Sequence, residues 1–277
     1  MTRPGRLVLL GNPVSHSLSP AFQNAALDAA GIDLRYEAID VDASALEATL
    51  ASLAFENAAG NVTVPHKIAV HDRCAVLTPI AKRAGAVNTF WFAEGTLHGD
   101  NTDVGGFRAA VDALREAEPL PTQVILLGAG GAAAAVCAAA EQWGAESVQV
   151  VARSRGAAHR LAARFPGLVE ISESFPAQRA AQRPRASRTA ATLVVNATPL
   201  GINASDARPV SIGELPSSAL VMDLVYSRGE TRFARDARAA GHRSADGLTM
   251  LLEQGALAFE RWFGFPPDRE AMRRAVG

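Results

Sequence analysis

The stretch QVILLGAGGAAAAVCAAA (residues 123–140) starts as an apolar run, breaks at glycines and continues in strong helix formers. This is strand, turn, then helix. Within it, Gly128-Ala129-Gly130-Gly131-Ala132-Ala133 approximates a dinucleotide fingerprint. Gly128 permits the tight turn and Gly130 lets the backbone approach a pyrophosphate. The small residues at 131–133 let the helix pack on the strand, with its N-terminal amides facing the phosphates. Ala133 stands where the third glycine is usual. A plain Gly/Ala packing turn is the competing reading. No Gly-Lys-Ser/Thr ending follows, which excludes the phosphate loop of NTPases. The stretch is too short and too glycine-rich for a membrane-spanning helix.

The next apolar run, SVQVVA (147–152), ends in Ala152-Arg153-Ser154-Arg155. An NAD enzyme usually carries Asp or Glu here to accept hydrogen bonds from the ribose hydroxyls. Two guanidiniums pair instead with a phosphate, and their planar faces stack on adenine. The pattern therefore favours NADP(H). Two exposed arginines at a helix start are the bland alternative, but positive charge is mildly unfavourable there.

Outward from this unit, short apolar runs alternate with helical patterns. Strands are expected at 6–11, 34–40, 58–63, 85–92, 123–128, 147–152, 192–197 and 219–225. Helices are expected near 20–30, 43–54, 66–72, 103–117, 131–143, 155–165, 231–240, 248–264 and 267–275. Such alternation predicts an α/β fold with parallel sheets and right-handed crossovers. A boundary falls near 104, where one long helical pattern precedes EPLPT (118–122). Segment 168–192 reads as the least structured, its Arg179, Arg183, Arg185 and Arg188 forming a solvated loop rather than a nucleic-acid arm. In the last segment Leu248, Leu251, Leu252, Gly255, Phe259 and Trp262 fall at helical spacing and form a core face.

The chain of 277 residues suggests two domains. With 48% hydrophobic residues and 20% charged ones, it has the balance of a soluble globular protein. Its net charge of −1 provides no field for nucleic acid or an acidic membrane. Two cysteines, Cys74 and Cys137, make no disulfide framework. The N-terminal apolar run is too short for a signal peptide. These features predict a cytoplasmic protein.

Polar clusters lie at expected strand ends in the first hundred residues: Asn61, Thr63 and Lys67 in NVTVPHK, Asn88 in GAVNT, and Asn101, Thr102 and Asp103 in GDNTDVGGF. Open α/β sheets bind ligands at such ends. Each cluster also has a bland reading as a cap, a turn or a solvated lysine, and Asp103 suits a helix cap. In GNPVSHSLSP (11–20), Ser19-Pro20 is a helix start with Ser19 as N-cap. Ser17 and Ser19 beside that N-terminus suit a carboxylate. DNTD is not a calcium loop, because the twelfth position from Asp100 is Val111 rather than Glu. His66, His71 and Cys74 lack zinc spacing, so no metal is expected. No Gly-x-Ser-x-Gly elbow occurs.

Taken together, GNPVSHSLSP, NVTVPHK, GAVNT, NTDVGGF, GAGGAA, ARS, NATPLG (196–201), MDLVY (222–226) and DGLTMLLEQGA (246–256) resemble the shikimate dehydrogenase family, in the family's order from residue 11 to 256. The resemblance implies two domains. Residues 1–103 with 249–277 would form an α/β substrate and catalytic domain. Residues 104–248 would form a doubly wound, Rossmann-type NADP domain, with substrate in the cleft between the two. It implies reversible NADPH-dependent reduction of 3-dehydroshikimate to shikimate, in aromatic amino-acid and chorismate biosynthesis. Lys67 and Asp103 would be the catalytic pair. Ser17 and Ser19 would hold the substrate carboxylate, and Thr63, Asn88, Asp103 and Gln254 its ring hydroxyls, with help from Tyr226. Gly128, Ala129, Gly130, Gly131 and Ala132 would meet the pyrophosphate. Arg153 and Ser154 would meet the 2′-phosphate, and Thr198, Leu224 and Gly247 would flank the nicotinamide.

Hydride addition to a ketone leaves negative charge on oxygen, which a positioned cation and proton donor stabilises. Lys67 is both, with Asp103 orienting the ammonium and a substrate hydroxyl. Three positions depart from the family: Gln23-Asn24 where His-Asn is usual, Ala152 where Asn is common, and Thr192 where Asp is common. The alternatives are a quinate/shikimate dehydrogenase with relaxed NAD/NADP use, and a ligand-sensing homologue without catalysis. No nucleic-acid or membrane partner is expected, and the chain would be a monomer or homodimer.

Overall fold

The computed structural model describes residues 3–175, 191–203, 205–227 and 229–277. Arg179, Arg183, Arg185 and Arg188 lie outside the described residues. The chain divides into two compact units, 1–106 with 251–277, and 107–250.

In the first unit six strands form one sheet. They are β1 (Leu7–Gly11), β2 (Tyr36–Asp40), β3 (Ala59–Val62), β4 (Val76–Leu77), β5 (Thr89–Ala93) and β6 (Thr96–Asp100), in the order β2-β1-β3-β5-β6-β4. The helices between them are α1 (Ser19–Ala29), α2 (Leu46–Phe55), α3 (Lys67–His71) and α4 (Pro79–Ala84). β1 pairs in parallel with β2 and β3, but β5 is antiparallel to both β3 and β6. The expectation of parallel sheets holds here except at β5, which makes this sheet mixed. The cause is local, since Glu94 and Gly95 both have positive φ, at 51° and 73°, and make a two-residue hairpin turn. The strand expected at 85–92 begins only at Thr89, because Gly85 takes φ 66° to close α4. Val8, Leu10, Val62, Val87 and Phe90 fill the core against Leu46, Leu50 and Leu53 of α2.

The helix start at 19–20 also differs from expectation. Ser19 is the first residue of α1, and the capping position is Leu18, which makes no side-chain cap bond. Instead Ser17 Oγ accepts from the Ser19 amide at 3.2 Å. Pro20 sits in the first turn, where its missing N–H costs nothing.

The second unit has β7 (Gln123–Leu127), β8 (Ser147–Val151), β9 (Val169–Ile171), β10 (Thr192–Asn196), β11 (Leu220–Asp223) and β12 (Ser244–Ala245), ordered β12-β11-β10-β7-β8-β9. Every pairing is parallel. Numbered within the unit this is the 3-2-1-4-5-6 order of a doubly wound Rossmann-type sheet. α6 (Gly131–Gln142) and α7 (Arg155–Arg164) make the first two crossovers, and α8 (Arg232–Ala239) the last. The whole run Ala133–Ala140 of α6 is buried, and apart from Val136 and Cys137 its side chains are single methyl groups, small enough to pack all round the helix. β9, inside the segment expected to be unstructured, adds the third strand.

The unit boundaries fall inside α5 (Thr102–Arg115) and α9 (Leu248–Phe263); α10 (Arg269–Arg274) closes the chain. On α9, Leu252, Phe259 and Trp262 are buried, while Leu248 and Leu251 are only half-buried.

Candidate active site

In the first unit the polar clusters converge at one end of the sheet. Lys67 opens α3, directly after the loop that leaves β3. Its Nζ donates to Asp103 Oδ2 at 2.6 Å, with the two side chains 14% and 6% exposed. Asp103 lies in the first turn of α5, where a carboxylate suits the helix dipole. It is engaged by Lys67 and Asn88, so the bland reading as a cap does not account for it.

Asp103 Oδ1 accepts from Asn88 Nδ2 at 2.9 Å. That amide nitrogen also faces Gln254 Oε1 at 3.1 Å and Thr102 Oγ1 at 3.0 Å. Asn88 Oδ1 accepts from the Thr102 backbone at 2.7 Å, which settles which way the amide points. Lys67, Asp103, Asn88 and Gln254 therefore form one connected group. Lys67 is its single cation, and Gln254 Nε2 donates to the Leu251 carbonyl at 2.8 Å.

A buried network supports Asn88 from behind. Tyr36 donates through its hydroxyl to Asn61 Oδ1 at 2.8 Å, and Asn61 Nδ2 donates to Thr89 Oγ1 at 3.0 Å. Thr89 in turn donates to Asn88 Oδ1 at 3.1 Å. Asn61 and Thr89 are opposite one another in the β3–β5 ladder. Sequence reasoning noted Asn61 and Thr102 only as members of polar clusters and missed Tyr36 and Thr89. Their role depends on an antiparallel register that spacing does not carry.

The serine loop lies beside the loop of Thr63, because Gly11 has no side chain. A Cβ there would stand 2.4 Å from Thr63 Cγ2 and 2.6 Å from Val14 Cγ1. Gly255 does the same for α9: a Cβ there would meet the Phe22 ring at 2.4 Å. Gln23, one of the departures from the family pattern, donates to the Gly255 carbonyl at 2.9 Å. It thereby ties α1 to the residue next to Gln254.

Asp100, also missed, is buried at the end of β6. It takes both Arg261 Nε at 2.9 Å and Nη2 at 2.7 Å, and Thr78 Oγ1 at 2.5 Å. Arg261 sits over the Trp91 ring, 5.7 Å from its centroid.

Tyr226 belongs to the second unit, unlike the other residues expected to hold substrate. That unit carries the nucleotide candidates. Gly128 takes φ 111°, and a Cβ there would lie 2.8 Å from the Ala197 carbonyl, so any side chain here would be both strained and crowded by the backbone that follows β10. Gly130 caps α6, and a Cβ there would meet nothing within 4 Å. The turn is therefore open at Gly130, beside the helix N-terminal amides that favour an anion. Ser154 caps α7 by accepting from the Ala157 amide at 3.3 Å, which leaves its proton free to donate outward. Arg155 pairs with Glu173 at 3.0 Å, whereas Arg153 makes no hydrogen bond or ion pair among the described residues. Thr198 donates from N and Oγ1 to Asn196 Oδ1, at 3.1 and 2.6 Å. Leu224 N donates to the Asn196 carbonyl at 2.9 Å, and a Cβ on Gly247 would stand 2.4 Å from the Leu224 carbonyl. The nucleotide residues thus fit the group.

Burial raises the Asp223 carboxyl above its ordinary range against the pull of its hydrogen bonds. Asp246 is raised for the same first reason, with Glu230 adding to it. Burial alone pushes the Cys74 thiol up to about 12. Among the described residues no cluster of His, Cys, Asp or Glu is arranged to hold a metal ion, and no helix is long and apolar enough to cross a membrane.

The chain is 40% identical over 277 residues to the NADP(+) shikimate dehydrogenase of Symbiobacterium thermophilum, covering 99% of this chain and 94% of that one. It belongs to the shikimate dehydrogenase family. The family's substrate binding domain matches residues 9–90, and the shikimate 5′-dehydrogenase C-terminal domain matches residues 247–276. Among solved structures, the shikimate 5-dehydrogenase of Thermus thermophilus, in complex with NADP(H) and shikimate, is 39% identical. It has a TM-score of 0.84, with 98% of each chain covered. The quinate dehydrogenase of Corynebacterium glutamicum, in complex with NAD, is 30% identical, with a TM-score of 0.82 and 97% of each chain covered. The two-domain α/β architecture of the shikimate dehydrogenases is that of this chain.

Proposed function

We propose that this member of the shikimate dehydrogenase family catalyses the reversible NADPH-dependent reduction of 3-dehydroshikimate to shikimate. It is an NADP-dependent oxidoreductase acting on a CH–OH group. The observation that carries the reading is the 2.6 Å pair of Lys67 and Asp103, with Asn88 and Gln254 joined to it. Bound NADPH supplies the hydride to the ketone carbon. As charge builds on the ketone oxygen, Lys67 Nζ stabilises it and delivers the proton, then regains one from solvent. In the oxidative direction Lys67 takes the hydroxyl proton. Asp103 holds the ammonium through Oδ2 and orients a ring hydroxyl of the substrate.

Ser17 and Ser19, at the N-terminus of α1, hold the substrate carboxylate, where hydroxyls and the helix dipole both favour an anion. Thr63, Asn88 and Gln254 hold ring hydroxyls, and Tyr226 assists. Gly128, Ala129, Gly130, Gly131 and Ala132 receive the pyrophosphate. Arg153, without a hydrogen bond or ion pair among the described residues, takes the 2′-phosphate with Ser154, and Thr198, Leu224 and Gly247 flank the nicotinamide. Residues 1–103 with 249–277 are the substrate and catalytic domain, and 104–248 the NADP domain. We place the enzyme in the cytoplasm, as a monomer or homodimer with no nucleic-acid or membrane partner.

Steady-state rates with shikimate and with quinate, each with NADP+ and with NAD+, test the reading. Shikimate with NADP+ is expected to give a kcat/KM at least ~10-fold above the other combinations. Comparable values with quinate or NAD+ would favour the relaxed quinate/shikimate alternative.

A further inference from the structure

Asp223 ends β11 with its side chain fully buried, outside every role assigned above. A carboxylate in such a place is costly unless its oxygens are satisfied. Here Oδ1 accepts from Asn196 Nδ2 at 2.8 Å and from the Val225 amide at 3.1 Å, and Oδ2 accepts from Thr231 Oγ1 at 2.8 Å. Asn196, its register partner at the end of β10, is equally buried.

An asparagine amide can face either way, and a carboxylate next to it decides the matter. Asp223 accepts only, so it draws Nδ2 toward itself and turns Asn196 Oδ1 the other way. Asn196 Nδ2 has a second acceptor in the Leu200 carbonyl at 3.0 Å. With Oδ1 so directed, Thr198 donates to it from both its amide and its hydroxyl. The Asn196 carbonyl meanwhile takes the Leu224 amide, and Val225 is pinned to Asp223 directly. Thr198 and Leu224 therefore both hang from the Asn196–Asp223 pair.

We infer that Asp223 is a positioning residue for the nicotinamide end of the nucleotide site, acting through Asn196 and Val225 on Thr198 and Leu224. The inference rests on the assignment of Thr198, Leu224 and Gly247 to the nicotinamide. It assigns Asp223 no contact with the nucleotide. The acid is kept in a costly position because it accepts from three donors at once and so locks two loops into one arrangement.

The test compares binding of NADPH with binding of 2′-phospho-ADP-ribose, the same nucleotide without its nicotinamide, by titration calorimetry. Asp223→Ala is expected to raise the NADPH Kd at least ~10-fold and to change the fragment's Kd less than ~2-fold. Asp223→Asn keeps the shape and an acceptor, so its NADPH Kd is expected to stay within ~3-fold of wild type. KM for shikimate at saturating NADP+ should not move in either variant. Equal weakening of both ligands would show a merely structural role and overturn the inference, as would no change for either ligand. If Asp223→Ala does not fold, Asn196→Ala is read by the same split and with the same consequences. A wild-type chain that binds 2′-phospho-ADP-ribose but shows no added affinity for NADPH would sink the nicotinamide assignment, and the inference with it.

Discussion

The Lys67 ammonium donates to Oδ2 of Asp103 at 2.6 Å, joining groups 36 positions apart in the chain. Asn88 occupies the other oxygen of the same carboxylate. The ammonium is thereby tethered at one donor, with two more left for a substrate oxygen. Lys67→Ala is expected to lower kcat by ~10²–10⁴-fold with KM for shikimate little changed. Wild-type turnover in that variant, measured at saturating NADP+, would remove Lys67 from the mechanism.

Ser17 and Ser19 are joined by the hydrogen bond from the Ser19 amide to Ser17 Oγ, and each hydroxyl keeps a proton to give. Replacing both by Ala should raise KM for shikimate ~10-fold or more while leaving KM for NADP+ within ~2-fold. Michaelis constants for both substrates decide it, and an unchanged shikimate KM would leave the loop as a turn only.

Of the two guanidiniums that follow β8, Arg155 pairs with Glu173, and Arg153 has no hydrogen bond or ion pair among the described residues. Arg153→Ala is therefore expected to raise KM for NADP+ by ~10-fold and that for NAD+ by less than ~2-fold. Equal effects on the two cofactors would contradict a 2′-phosphate role.

Arg261 neutralises the buried Asp100 through two nitrogens. Removing it strands a carboxylate that is only 4% exposed. Because Arg261 is itself 39% exposed, water can partly compensate. Arg261→Ala should cost about 1–3 kcal/mol of stability rather than the full penalty of a dry pair. Denaturant unfolding monitored by circular dichroism measures this, and a loss below about 0.5 kcal/mol would show that the pair contributes no more than a surface pair.

Asp246 has its carboxyl raised by burial above the ordinary value of 3.8. An acid raised in the folded state binds more protons folded than unfolded, so its contribution to stability falls as pH rises from 3.8 through the folded value. Asp246→Asn carries no such charge. The difference in Tm, variant minus wild type, should therefore be more positive at pH 7 than at pH 4. Thermal melts at the two values test the sign, and a difference that falls with pH would contradict it.

Local chemistry is enough to place the second unit's sheet and its nucleotide turn. Gly128 needs its positive φ, Gly130 needs its open side, and the alanines within 133–140 suit burial all round the helix, and each requirement is met by residue type alone. The catalytic candidates are legible as types at strand ends, and their family pattern names them. The short strands β4 and β12 are not legible, because two-residue pairings leave no periodicity to read. The cap expected at Ser19 is not found, because residue type does not say which of two nearby serines accepts the helix amide.

What the sequence by itself determined about this protein is therefore a set of backbone requirements and a list of chemically able side chains. What only the tertiary structure decided is which atoms of those side chains meet. Gln254 reaches Asn88 across 166 positions, and Asn61 meets Thr89 only through an antiparallel register. Asp223 turns the Asn196 amide only because β10 and β11 end level with one another. Residue type sets how many hydrogen bonds a group can make, but their direction is set by neighbours that arrive from distant parts of the chain.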